Sequence, residues 1–95
     1  MSNIHTKFIK ANKDLSTKEI GKELIILGLD ENKIFTLNEV ARRIWELSGS
    51  KTKIREVIEQ IAKEYDISID QAEKDVYTFL DEANKAGNIF FFLDS

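Results

Sequence analysis

The chain has 95 residues and no cysteine, with 42% apolar and 33% charged residues and a formal net charge of -3. That length supports one domain, over residues 1–95, with one modest core. Without cysteine there are no disulfides, thiolate metal sites or iron–sulfur clusters held by this chain, and the usage fits a reducing cytosol. The N-terminus lacks an apolar signal core, and no run of about 18 apolar residues offers a membrane span. The expectation is a cytoplasmic, non-membrane protein.

In chain order, residues 7–11 have the composition of a first strand, and the polar residues 12–22 show no hydrophobic period and are read as a long connection. Residues 23–29 form an apolar strand. Asp30, Glu31 and Asn32 then make a turn, and residues 33–37 return as a shorter strand. Asn38 opens a helix over 39–48, with Glu39 at the positive end of its dipole. Gly49 stops it. The 3-4-3-4-3 spacing of Ile54, Val57, Ile58, Ile61, Ala62 and Tyr65 predicts a second helix over 52–65. Ser68-Ile69-Asp70-Gln71 has the form of a capping box, and Ala72, Val76, Phe79, Leu80 and Ala83 share one face of a third helix. Gly87 is placed for a left-handed cap, and residues 89–93 have strand composition. The fold class is therefore α+β and winged helix-turn-helix-like: a three-stranded antiparallel N-terminal sheet, three helices and a short C-terminal strand. Trp45 is expected in the core.

Catalytic signals are weak. His5 stands alone near a terminus, so neither a soft metal site nor a Cys/His nucleophile pair can be assembled. The four glycines never cluster into a phosphate-cradling loop. Carboxylate pairs such as Asp81 with Glu82 sit on a charged helix and read as a solvated face. No catalytic residue, metal or cofactor is expected. Charge is segregated, with Lys7, Lys10, Lys13, Lys18 and Lys22 in the N-terminal segment and Asp70, Glu73, Asp75, Asp81 and Glu82 on the third helix. In a winged-helix DNA binder that helix would enter the major groove, where its carboxylates would oppose the phosphates. Nucleic acid is disfavoured as a partner. What stands out is the short return strand: if it ends the sheet, its unpaired N–H and C=O groups form a docking edge.

The stretch from Leu24 to Leu80 resembles the PqqD family, small proteins of pyrroloquinoline quinone biosynthesis and related recognition elements for leader peptides of ribosomally made, modified peptides. The matching residues are the apolar strand, Phe35-Thr36-Leu37-Asn38 with Ala41, Ile44-Trp45-Glu46-Leu47, Glu64-Tyr65, and Asp75-Val76 with Phe79-Leu80. The chain departs from the family in its Ser48-Gly49-Ser50 loop and in the added tail. The resemblance implies a non-catalytic protein that captures the leader of a precursor peptide by strand addition. It would present that leader to a separate modifying enzyme, such as a radical iron–sulfur enzyme, a leader peptidase or a cyclase. The implied site is Lys33, Ile34, Phe35, Thr36 and Leu37 on the return strand, with Val76 and Phe79 as the groove floor and Asp75 and Glu82 as its rim. A ladder of about five hydrogen bonds nets about 5 kcal/mol, which ordering of the peptide nearly cancels at about 1–2 kcal/mol per residue. Side-chain anchors must therefore supply the affinity. The acidic rim calls for a Lys or Arg in the peptide. Two other readings stay open: a winged-helix DNA-binding protein, and a small dimeric scaffold associating through residues 89–93.

Overall fold

The computed structural model describes residues 7–27 and 33–93. They form β1 (Phe8–Ala11), β2 (Ser16–Ile20), β3 (Glu23–Leu27), β4 (Phe35–Leu37), α1 (Glu39–Leu47), β5 (Thr52–Lys53), α2 (Ile54–Glu64), α3 (Ile69–Ala86) and β6 (Phe90–Leu93). The class is α+β with antiparallel sheets, and most of the strands precede the three helices. His5 and the turn expected at residues 30–32 lie outside the described residues, as do the last two residues expected in the apolar strand.

Three strands do form one antiparallel sheet in the first part of the chain, but not the expected three. Its order is β2-β3-β4. The stretch read as a connection contains β2, which pairs along its whole length with β3, from Ser16↔Leu27 to Ile20↔Glu23. Gly21, at φ +59, and Lys22 close this hairpin. A positive φ at the first of two loop positions is the type II′ pattern, which glycine adopts without a Cβ clash. Every residue of β2 is exposed. With neither face buried, it carries no alternation of apolar and polar residues to reveal it.

The first strand belongs to a second sheet of order β5-β1-β6. Ile9 and Ala11 are sealed beside Ile89 and Phe90. Backbone bonds from Ala11 N–H to the Ser48 carbonyl (2.7 Å) and from Asn12 N–H to the Ile89 carbonyl (2.9 Å) hold the strand there. The second helix begins two residues later than its pattern suggested. Thr52 and Lys53 pair with β1 instead, and the Thr52 hydroxyl donates to the Ser50 carbonyl at 2.8 Å.

The caps are mostly local, as expected. Asn38 Oδ1 accepts from Ala41 N–H at 2.9 Å, and Ser68 Oγ accepts from Gln71 N–H at 3.1 Å. The Gln71 amide turns to Asp75 Oδ1 (2.8 Å) and not back to the cap, so half of the capping box forms. The left-handed cap falls after α2, not after α3. Asp66 has φ 51, and Ile67 N–H reaches back to the Ala62 carbonyl at 3.1 Å, the six-to-one bond of a Schellman turn. Gly87 is extended, at φ 161 and ψ -167, and Asn88 and Ile89 connect it to β6.

An aromatic row crosses the core. Phe35 stacks on Phe79 at 6.3 Å between centroids, Phe79 meets Phe90 edge-on at 5.5 Å, and Phe90 meets Trp45 edge-on at 5.7 Å. Edge-to-face and offset pairs add to area burial because a positive ring edge meets a negative face. Trp45 is in the core, as the sequence suggested.

On the surface, Arg43 clamps α1 to α2 by a forked contact to Glu64, at 2.7 and 2.8 Å. The bonds from Arg43 and Gln60 hold the Glu64 carboxyl down from its usual 4.5 to about 2. A carboxyl whose folded pKa is depressed contributes stability that is complete above its unfolded pKa and lost as pH falls through the folded one. Stability carried by this pair is therefore expected to decline between pH 4.5 and 2. Because the pair is partly exposed, the loss should be about 1 kcal/mol or less. Urea unfolding of Glu64→Gln and wild type at pH 7 and pH 3 checks this: the difference between the two should shrink at the lower pH.

Candidate functional site

Sheet order decides where an extra strand could add. Among the described residues, β4 has a neighbour only on its β3 side. Beside its open edge lies a groove of about 570 Å³ whose far wall is α3. Phe35 and Thr36 form the strand side, and Asp75, Thr78, Phe79 and Glu82 the helix side. Those four are spaced i, i+3, i+4, i+7, a single stripe of one helix face. Val40, Ala41 and Ile44 of α1 close the bottom with apolar surface.

Five of the nine residues expected at the site meet around this groove: Phe35, Thr36, Asp75, Phe79 and Glu82. The other four are placed differently. Lys33 and Ile34 precede β4 and belong to no strand, and Ile34 is 59% exposed. Leu37 is sealed in the core opposite Leu24, so it offers only backbone to an added strand. Val76 is fully buried and does not line the groove. It lies on the core side of α3, behind the surface that Phe79 presents.

Sequence reasoning missed Glu23, Asn38, Lys74 and Thr78. Thr78 could have been found by counting three residues on from Asp75. Glu23 could not, since it reaches the groove only because β3 pairs with β4.

Three carboxylates, Glu23, Asp75 and Glu82, surround the opening against the single ammonium of Lys74. Asp75 accepts from Gln71 at 2.8 Å. Asp81, next to Glu82 in sequence, is paired with Lys85 at 3.1 Å outside the groove lining. The result is a groove with aromatic walls, an aliphatic floor and an acidic rim, suited to an extended chain carrying an apolar anchor and a nearby cation. Among the described residues no cluster of three His, Cys, Asp or Glu is placed to hold a metal, and no helix is long and apolar enough to cross a membrane.

A second concavity of about 370 Å³ lies against Arg42, Arg43, Glu46 and Tyr65. Its guanidinium groups are already held, Arg42 by Glu19 and Glu46 and Arg43 by Glu46 and Glu64. It therefore offers an incoming anion little uncompensated charge.

No curated protein matches the chain. Among solved structures, the chain is similar to TbiB1 in complex with the TbiA(beta) leader peptide. The TM-score is 0.66 and the identity 30%, over 80% of this chain and 90% of the other. Residues 23–89 match the PqqD family, described as coenzyme PQQ synthesis protein D. That span runs from the start of β3 to the residue before β6 and contains both walls of the groove, and the chain belongs to the PqqD family.

Proposed function

We propose that this protein binds the leader region of a ribosomally made precursor peptide and presents it to a separate modifying enzyme. The observation that carries the reading is the open edge of β4 running beside the groove of α3. The solved relative, whose structure contains a leader peptide, is similar over most of both chains. The leader adds as a strand against β4 and places an apolar side chain against the exposed surface of the Phe35–Phe79 pair. Asp75 and Glu82 face a Lys or Arg of the peptide.

The ordered edge is shorter than the sequence suggested, three residues in place of five. Its backbone ladder then nets only about 2–4 kcal/mol at about 1 kcal/mol per bond. Micromolar binding requires about -8 kcal/mol, so most of the affinity comes from the groove. The protein acts by holding and orienting the peptide, and the covalent chemistry falls to its enzyme partner: a radical iron–sulfur enzyme, a leader peptidase or a cyclase.

Backbone amide shifts of labelled protein, titrated with candidate leader peptides and with duplex DNA, test this. Peptide should move residues 33–37 and the exposed stripe of α3, and DNA should move nothing. A response to DNA alone, or to none of the leaders encoded beside the gene, would overturn the proposal.

A further inference from the structure

The second sheet has an outward face that the groove does not use. Directly opposed residues of antiparallel strands share a face. The register therefore puts Lys53, Phe8 and Leu93 in one row and Lys10 with Phe91 in the next. The opposite face carries Ile9, Ala11 and Phe90, which are sealed in the core. The outward rows are thus lysines interleaved with apolar side chains, and β1, β5 and β6 contain no carboxylate.

One loop lysine extends the patch: Lys51 Nζ lies 4.6 Å from the centre of the Phe8 ring. Among the described residues, Lys10, Lys51 and Lys53 make no ion pair with a carboxylate. The sheet also ends at β6, whose outer edge has no strand beside it among the described residues. Phe91, on the outward face there, is 43% exposed. An uncovered apolar edge of this kind is a pairing surface unless something shields it.

We propose that this face docks an acidic surface of the modifying enzyme, with Lys10 and Lys53 opposite its carboxylates and Phe91 as the apolar centre. The proposal rests on the leader-peptide reading for the identity of the partner. Charge complementarity selects the occupant. The chain is net negative at -3, yet among the described residues this patch carries lysines without a carboxylate partner, so it attracts an acidic partner locally. A second copy of the chain docked face to face would set lysines against lysines. A nucleic-acid duplex would meet neither an arginine nor a helix on these strands. No residue lining the groove belongs to β1, β5 or β6, so leader and enzyme can be held together.

The test uses the modifying enzyme encoded beside the gene and full-length protein loaded with leader peptide. Lys10→Glu with Lys53→Glu should weaken enzyme binding by at least about tenfold and leave leader affinity unchanged. Lys10→Gln with Lys53→Gln should fall between, which separates charge from any folding defect. Wild-type enzyme binding should weaken as salt rises from about 50 to about 500 mM. Unchanged enzyme affinity in the reversed variant would overturn the proposal. So would a duplex DNA that displaces the enzyme, or self-association of wild type that the reversal abolishes. If wild type binds no leader but still binds the enzyme through these lysines, the docking face stands and the groove reading falls.

Discussion

Phe79→Ala is expected to remove about 3–5 kcal/mol of folding stability and to abolish measurable leader binding. One ring serves both purposes. It is 9% exposed, stacks on Phe35 at 6.3 Å and meets Phe90 at 5.5 Å, so it joins the strand wall of the groove to the C-terminal strand. Truncation leaves a cavity between two aromatic partners and lets Phe35 fall inward. Domains of this size are stable by only about 5–15 kcal/mol, so the loss is a large fraction of the total. Urea unfolding measures the first effect, and a leader titration under conditions where the variant remains folded measures the second. Phe79→Leu separates the roles, since it keeps most of the buried apolar volume and costs less stability than truncation to Ala while removing the ring. If Phe79→Leu binds leader as tightly as wild type, the ring is a core residue and not a groove contact.

Reversing the rim charges, with Asp75→Lys and Glu82→Lys together, is expected to weaken leader binding by roughly thirtyfold, about 2 kcal/mol. Stability should change little, because Glu82 is exposed and Asp75 half-buried. The sign follows from the rim itself: three carboxylates face the groove against one lysine. Two reversals turn an attractive field for a Lys or Arg of the peptide into a repulsive one. Wild-type binding should weaken with added salt, and the double variant should lose that dependence or invert it. A double variant that binds a basic leader as tightly as wild type would show that the peptide lies along another flank of α3.

The helices were legible because their signals are local. Ile54, Val57, Ile58 and Ile61 repeat with the helical period, and Asn38 and Ser68 cap through bonds spanning three residues. The strands were legible only where one face is buried. Leu24 and Ile26 alternate with more exposed neighbours in β3, whereas β2 is exposed throughout and left no pattern to read. Half of the site was visible in the same way. Phe35 and Thr36 alternate along the return strand, and Asp75, Phe79 and Glu82 lie on one stripe of α3. Val76 was placed on the groove floor with Phe79, whose apolar face of the helix it shares. The packing of α3 turns it inward, among core residues contributed by other elements.

The sequence by itself determined the class of the fold, the three helices and the N-terminal caps of the first and third, the apolar β3 strand, and the short strand that returns beside it. These depend on contacts within a few residues, which composition and period encode. Tertiary structure alone decided that β1 leaves the hairpin to pair with β5 and β6, and that β4 stays at the edge of its sheet. It also brought Glu23 and Glu82 to one groove. Each of those outcomes is a choice between partners distant in the chain. A strand's own residues state that it will pair but not with which neighbour, since the hydrogen bonds of one edge are the same whatever lies opposite.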